Sequence, residues 1–316
     1  MNKTKAPLVC IVIVSWNGKE HLFNCLESLK KTKYSNYKII ILDNGSTDDS
    51  IKKIKKFKNI FLLKREKNVG FTSGSNIVYS YVLKTFNPDY ICNMNNDIIT
   101  VQPNWLSLMV NSLEKRKNYG LCGNKLIFPD GRLQLLYLDR KPKEYKEKDR
   151  GQYDFVKEVS AIGGANMLIK RRVFDTLGGY DENYFYGPDD IDYCFRARKK
   201  GFKIIYNGLS KSIHFGSFSY LSNSKDPVYS NQSRGQMTFS FRWGSNKDKI
   251  KMILNQFVRA FITRKDPFSK IKLKNIYFHK SFPKRIILFL KALYLTLINY
   301  KKIDNSNFKY VKKKKT

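Results

Sequence analysis

The 316 residues carry 60 Lys and Arg against 26 Asp and Glu, a formal charge of +34, and 42% of them are hydrophobic. This apolar content excludes a disordered chain, and the length suits one large core or two modest ones. The charge predicts a polyanionic partner, either nucleic acid or an anionic membrane surface, and composition does not choose between them. The excess is uneven: from Arg242 onward, 21 basic residues face only Asp248, Asp266 and Asp304. Five cysteines at wide spacing, with no CxxC pair, argue against a disulfide framework or a zinc site. The apolar run near the N-terminus is followed at once by Trp16-Asn17-Gly18 and charged residues, with no small-x-small cleavage site. It reads as a buried first strand of a cytosolic chain rather than a signal peptide.

In chain order, Leu8–Val14 is a β-branched run suited to a strand covered on both faces. Leu22, Cys25, Leu26 and Leu29 have the spacing of a one-sided helix. Lys38–Leu42 predicts a second strand ending at Asp43, and Ser46–Lys56 a helix that Ser46 and Thr47 are placed to cap. Ile60–Leu63, Ser73–Leu83, Tyr90–Met94 and Pro103–Lys115 continue as strand, helix, strand and helix. Such alternation predicts an α/β fold with a mainly parallel sheet and helices on both faces. Ligands bind such sheets beyond the carboxyl ends of the strands, where Asp43 and Asp97 fall. Arg140–Gln152 reads as a solvated loop, and Lys203–Tyr206 as a strand followed by a glycine-bearing loop. There is no internal repeat, no GxGxxG and no GxxxxGK[ST] loop, which argues against a dinucleotide enzyme or an NTPase.

Four constellations carry chemistry. In Ile40–Ser50 a strand ends in Asp43, then Asn44-Gly45-Ser46 opens a turn. The carboxylate suits a base or ribose edge, and the following helix start suits phosphate; an ordinary turn explains the same residues. Asn68 to Asn76, with Gly70 and Gly74, is a weaker signal of the same kind. Asn95-Asn96-Asp97 after a buried strand offers oxygen ligands for Mg²⁺ or Mn²⁺ bridging a diphosphate, although one carboxylate needs further ligands beside it. The densest block runs through Gly178–Glu182 and Tyr186-Gly187-Pro188-Asp189-Asp190-Ile191-Asp192 to Arg196 and His214. Asp189 and Asp190 open a helical pattern, where they serve either as caps or as acceptors of a hydroxyl proton. Asp192 is read first as the salt-bridge partner of Arg196 or Arg198, and His214 as a supplier of the missing metal ligand.

Taken in order, these motifs resemble glycosyltransferase family 2, nearest its bacterial rhamnosyltransferase-like branch. The resemblance runs over residues 7–245, through Val12-Ser15-Trp16-Asn17, Asp43–Ser46, Asn68–Asn76, Asn93–Asp97, Gly164-Ala165, Gly178–Glu182, Asp189-Asp190-x-Asp192 and His214. It implies a GT-A fold and an inverting transfer of sugar from a dTDP- or UDP-sugar, dTDP-rhamnose among them. The acceptor is a glycan or lipid-linked saccharide of a surface polysaccharide. It implies donor binding by Ser15, Asn17, Asp43, Asn44, Gly70, Asn76, Asn95 and Asn96, and metal binding by Asp97 and His214. Asp190 is the implied base with Asp189 beside it, and Gly164, Tyr186 and Asp192 lie on the acceptor side. Two departures stand out. Asn95 occupies the first position of the Asp-x-Asp metal motif, and Asp189 follows Pro188 where a glutamate is expected.

The sequence divides into a catalytic domain over 1–245, with a nucleotide half at 7–115 and an acceptor half at 116–245, and a basic helical extension over 246–316. Within the extension, Ile250–Phe261 and Pro283–Tyr300 have helical apolar spacing. The apolar stretch of the second, Ile286 to Ile298, makes ~20 Å of helix against a hydrocarbon core of ~30 Å, so it should not span. Peripheral attachment to an anionic membrane, on the cytoplasmic face, is one reading. Packing on the catalytic domain or on a second copy in a homodimer is the other. Nucleic-acid binding fits less well, because the charge gathers around an apolar helix and the acid cluster would repel a phosphate backbone. A sugar-phosphate nucleotidyltransferase would open with a Gly-rich, Arg-bearing loop where Ser15-Trp16-Asn17-Gly18 stands. A catalytically inactive scaffold remains the third alternative.

Overall fold

In the computed structural model, which describes residues 6–57, 59–134, 137, 147–185, 187–216, 228–261, 282–304 and 306–309, strand β1 (Val9–Ser15) lies at the centre of a parallel group. It pairs with β2 (Tyr37–Asn44) and β4 (Tyr90–Asn95), and β2 with β3 (Ile60–Arg65), all parallel. The register sets Ser15 beside Asp43 and Val14 beside Asn95, so the predicted ligand-binding residues end on one edge. Helices α1 (Lys19–Leu29), α2 (Ser50–Ile54) and α3 (Phe71–Thr85) connect these strands in turn, and α4 (Trp105–Glu114) follows them. Val9, Ile11 and Ile13 pack with Leu22, Leu26, Leu29 and Trp105 in a core without solvent contact. Burial on both faces is why these strands read as unbroken apolar runs.

Beyond β4 the sheet becomes mixed. The order is β3, β2, β1, β4, β8 (Asn166–Lys170), β6 (Tyr119–Ile127), β9 (Lys203–His214) and β5 (Ile98–Thr100), with β7 (Val156–Val159) also on β9. Strand β6 pairs antiparallel with β8 and parallel with β9. The short β5 and β7 run antiparallel to β9, and α5 (Arg171–Leu177) and α6 (Asp189–Lys199) flank the sheet sequence.

Two local expectations are corrected. The second helix spans only Ser50–Ile54, because Ser46 and Thr47 are bonded to Asn17 in the turn and cap nothing. The glycine-bearing loop after Tyr206 does not exist: β9 continues through Gly208 to His214. A Cβ at Gly208 would collide with the Tyr153 carbonyl, so glycine there serves close approach and not a turn.

The chain divides into two compact units. One holds the described residues within Met1–Tyr180, Asp190–Ser217 and Asn305–Thr316, the other those within Asp181–Asp189 and Phe218–Asp304. The second contains α7 (Val228–Trp243), α8 (Asn246–Phe261) and α9 (Phe282–Asn299), so α7, assigned from sequence to the catalytic domain, groups with the C-terminal helices. Residues 306–309 return to the first unit, where the Lys309 amide donates to Ser80 Oγ at 2.8 Å and Phe308 stacks on Phe174. All five cysteines are free and buried. Burial pushes the Cys10 and Cys194 thiols up to about 12.

Candidate active site

The carboxyl edge of the parallel strands is stitched together by short polar bonds. Asn17, at a positive φ of 49°, donates its amide to Ser46 Oγ at 2.9 Å and accepts from the Thr47 amide at 2.8 Å. Asp43 Oδ1 accepts the Ser46 amide at 3.0 Å, and the residue is 6% exposed. Asn96 donates to Ser15 Oγ at 3.0 Å, linking the ends of β1 and β4. Asn44 accepts the Val69 amide and donates to the Gly70 carbonyl, each at 3.1 Å, bracing the turn that opens α3.

Asn76 does not line this edge as a donor-binding residue. It is fully buried, its Oδ1 accepts the Tyr180 amide at 2.8 Å and its Nδ2 donates to the Tyr180 carbonyl at 3.0 Å. Both ends of the amide hold backbone, which makes it a scaffold residue.

Antiparallel pairing of β5 with β9 sets Ile98 opposite His214 and brings the histidine to Asp97. His214 Nε2 lies 3.3 Å from Asp97 Oδ1 and 3.4 Å from Asn95 Nδ2. Burial alone would raise the Asp97 carboxyl. The facing imidazole outweighs it, by charge and hydrogen bond, and holds the carboxyl below its ordinary range. On the other side of the ring, His214 Nδ1 is 2.7 Å from Gln134 Oε1, while Gln134 Nε2 donates to the His214 carbonyl at 2.5 Å. An amide oxygen only accepts, so Nδ1 carries a proton in this bond, and Nε2 is the atom that either donates to Asp97 or, without its proton, turns a lone pair toward a bound ion.

This donor set fits a small divalent cation. Adjacent ligands on an octahedral ion with ~2.1 Å bonds are separated by roughly 3 Å, close to the spacing of Asp97 Oδ1 and His214 Nε2. Among the described residues no group of three or more His, Cys, Asp or Glu is arranged to hold a metal. Two protein ligands suit an ion whose other positions go to substrate phosphates and water.

Asp190 is placed by a separate relay. Tyr79 donates to Asn93 Oδ1 at 2.8 Å, Asn93 Nδ2 to the Gly164 carbonyl at 2.8 Å, and the Gly164 amide to Asp190 Oδ2 at 2.6 Å. The Ile191 amide donates to Asp190 Oδ1 at 2.8 Å. A Cβ at Gly164 would stand 2.8 Å from Asp190 Cβ, so only glycine lets the carboxyl dock there. Burial pushes this carboxyl above the usual carboxylate range, against the backbone donors that pull it down. Asn95 donates its amide to the carbonyl of Ala165, the residue next to Gly164, so this relay meets the metal edge through the sheet.

The remaining candidates separate. Asp189 is 6% exposed and accepts the Gly187 amide at 2.8 Å, closing the turn before α6. Asp192 is fully buried and pairs with Arg196 at 2.9 Å, while Arg196 also donates to the Gly179 carbonyl. That is the salt-bridge role, and it withdraws Asp192 from the acceptor side. Tyr186 lies outside the described residues. The sequence assigned no role to Gln134 or Tyr79, and took Asn93 only as part of the Asn93–Asp97 motif. The Asp130-Gly131 turn, which returns the chain so that the Gln134 amide meets the Leu126 carbonyl at 3.0 Å, was the available signal for the first.

The family profile for glycosyl transferase family 2 matches residues 10–178, just over half the chain. An uncharacterized protein of Sinorhizobium fredii, y4gI, is 28% identical over 67% of this chain, which covers only 25% of that relative's length. The N-acetylglucosaminyl-diphospho-decaprenol L-rhamnosyltransferase of Mycobacterium tuberculosis is 21% identical over 73% of this chain and 82% of its own. Among solved structures, GalNAc-T7 with UDP, GalNAc and Mn²⁺ superposes with a TM-score of 0.61 at 16% identity, over 94% of this chain and 59% of that one. The likeness shows the fold, which is GT-A.

Proposed function

Because this chain belongs to glycosyl transferase family 2, we propose that it transfers a sugar from a nucleotide-diphosphate donor to an acceptor hydroxyl with inversion at the anomeric carbon. The observation that carries the reading is the pairing of Asp97 with His214 at the strand edge, in the same sheet that seats the Gly164–Asp190 contact. In this reading Asp43 meets the base or ribose, and Ser15, Asn17 and Asn96 hold the loops around the diphosphate. Asp97 and His214 hold Mn²⁺ or Mg²⁺. When bound, the ion supplies positive charge to the departing diphosphate. The acceptor oxygen bonds to the anomeric carbon as the bond to the nucleoside diphosphate breaks, the electron pair leaving with the phosphate. Asp190 takes the acceptor proton. The acceptor is a glycan or lipid-linked saccharide, and a dTDP- or UDP-sugar, dTDP-rhamnose among them, is the donor. The likeness to the mycobacterial rhamnosyltransferase supports these assignments.

The test is thermal unfolding with UDP and dTDP, with and without Mn²⁺. A ligand at about a hundredfold excess over its Kd stabilises the folded state by about 2.7 kcal/mol. One nucleotide should raise Tm by several degrees, and only with the metal. A shift indifferent to Mn²⁺ would remove the metal from the reading. No shift with either nucleotide would remove the donor class and favour an inactive scaffold.

Gln134 provides a second check within the same site. Outer partners that orient a ligating histidine typically contribute about 10–100-fold in metal affinity. Gln134→Ala should weaken Mn²⁺ binding by that factor in calorimetry without donor, leaving nucleotide binding in the absence of metal unaltered. Unchanged Mn²⁺ affinity would reduce the Gln134 contact to packing.

A further inference from the structure

The helical unit has more apolar surface than its own core uses. That core consists of Met237 of α7 with Phe289 and Ala292 of α9, and Met252, Ile253 and Leu293 packed against them. On α8, Ile250, Leu254 and Phe257 are left 59%, 56% and 43% exposed, at the four- and three-residue steps of one helix face. On α9, Ile287, Leu290 and Tyr294 are 62%, 55% and 62% exposed, again at three- and four-residue steps. The Phe257 and Phe289 rings meet at 5.7 Å, so the two helices are packed neighbours within the unit. Single exposed apolar residues need no explanation, but two ordered stripes on adjoining helices mark an interaction surface.

The charges beside the stripes identify the partner. Lys247 and Lys251 on α8, Lys291 on α9, and Lys301 and Lys302 just after it are all exposed, in a C-terminal stretch with 21 basic residues against three acids. A second copy of this surface would set lysine against lysine. An anionic bilayer receives the apolar side chains in its interface and the ammonium groups among its phosphates. None of the helices among the described residues is long and apolar enough to cross a membrane. We propose that α8 and α9 seat this protein on an anionic lipid surface, lying in the interface without spanning it. The proposal rests on these helices alone and is independent of the catalytic reading.

The experiment is co-sedimentation of the full chain with vesicles of phosphatidylcholine, alone or mixed with phosphatidylglycerol, at low and high salt. Wild type should pellet with the anionic vesicles, less so as salt rises, and remain in solution with phosphatidylcholine alone. Ile250→Ser with Leu254→Ser, and Leu290→Ser with Tyr294→Ser, should each weaken binding more than about tenfold. Each lysine replaced by alanine should weaken it about fivefold. All these positions are exposed, and an unchanged melting curve for each variant confirms that the fold is intact. Equal binding to neutral and anionic vesicles, or variants that bind like wild type, would overturn the proposal. So would a wild-type dimer in sedimentation velocity that the same substitutions dissociate, since the surface would then belong to a second copy.

Discussion

Replacing Asp190 by Asn should reduce kcat for sugar transfer by about 10²–10⁴-fold while leaving nucleotide and Mn²⁺ affinity near wild type. The carboxyl is held by two backbone donors, the Gly164 amide on Oδ2 and the Ile191 amide on Oδ1. Asparagine offers an oxygen to only one of them. The other is left facing an amide nitrogen, at a cost of about 1–3 kcal/mol, within the 5–15 kcal/mol typical of a domain. The variant should therefore fold with a lower Tm, and the assay belongs well below it. The pH profile gives a second reading. A base works as its carboxylate, so the rate must rise as pH passes upward through its pKa. Burial places that pKa above the ordinary carboxylate range, so the acidic limb of the wild-type kcat profile should lie above the ~3.9 of a free aspartate. Transfer near the wild-type rate in the Asn variant, at any pH, would take Asp190 out of the reaction.

Asp97→Asn should fail differently. It removes the carboxylate of the two-ligand set and leaves His214, still clamped by Gln134. Charge stabilisation by a catalytic metal is worth several kcal/mol, so kcat/KM should fall about 10²–10³-fold at a fixed low Mn²⁺ concentration. Raising Mn²⁺ should recover part of that loss, because the defect is in binding the ion. No amount of Mn²⁺ should recover Asp190→Asn. Calorimetric titration with Mn²⁺ separates the cases without turnover. An Asp97→Asn variant that binds Mn²⁺ as wild type does would show the ion to be held elsewhere.

The parallel half of the fold was legible in the sequence because β1, β2 and β4 are covered on both faces, so their composition declares them. The later half was not. Strand β6 contains Gly123, Asn124 and a Lys125 with no solvent exposure, whose ammonium pairs with Asp149 at 2.8 Å and with Asp154. A buried lysine neutralised by carboxylates 24 and 29 residues later reads as a surface residue to any periodicity argument. Strand β9 was cut short at Asn207-Gly208 for a related reason: a turn-forming dipeptide sits mid-strand because another backbone approaches there. At the site, Asp97 and His214 could be picked out from residue type and position, whereas the choice of Asp190 over Asp189 came from the family resemblance. Their supports could not. Gln134 and Asn93 act through hydrogen bonds that exist only once β5 has paired with β9 and the Gly164 turn lies against α6. Asn76 was misassigned for the opposite reason, since its partner, the Tyr180 backbone, is 104 residues away.

The burial of every native thiol gives the molecule a chemically silent background. Alkylating reagents and spin labels are attacked by the thiolate, and the cysteines here are both enclosed and shifted away from that form. A cysteine introduced at an exposed position such as Leu290 or Tyr294 would then be the fast-reacting one, with no native cysteine removed to make it so. A nitroxide placed there would report, through relaxation by dissolved oxygen against a water-soluble quencher, how far that helix face descends into a bilayer. The wild-type chain is in effect already its own cysteine-free template.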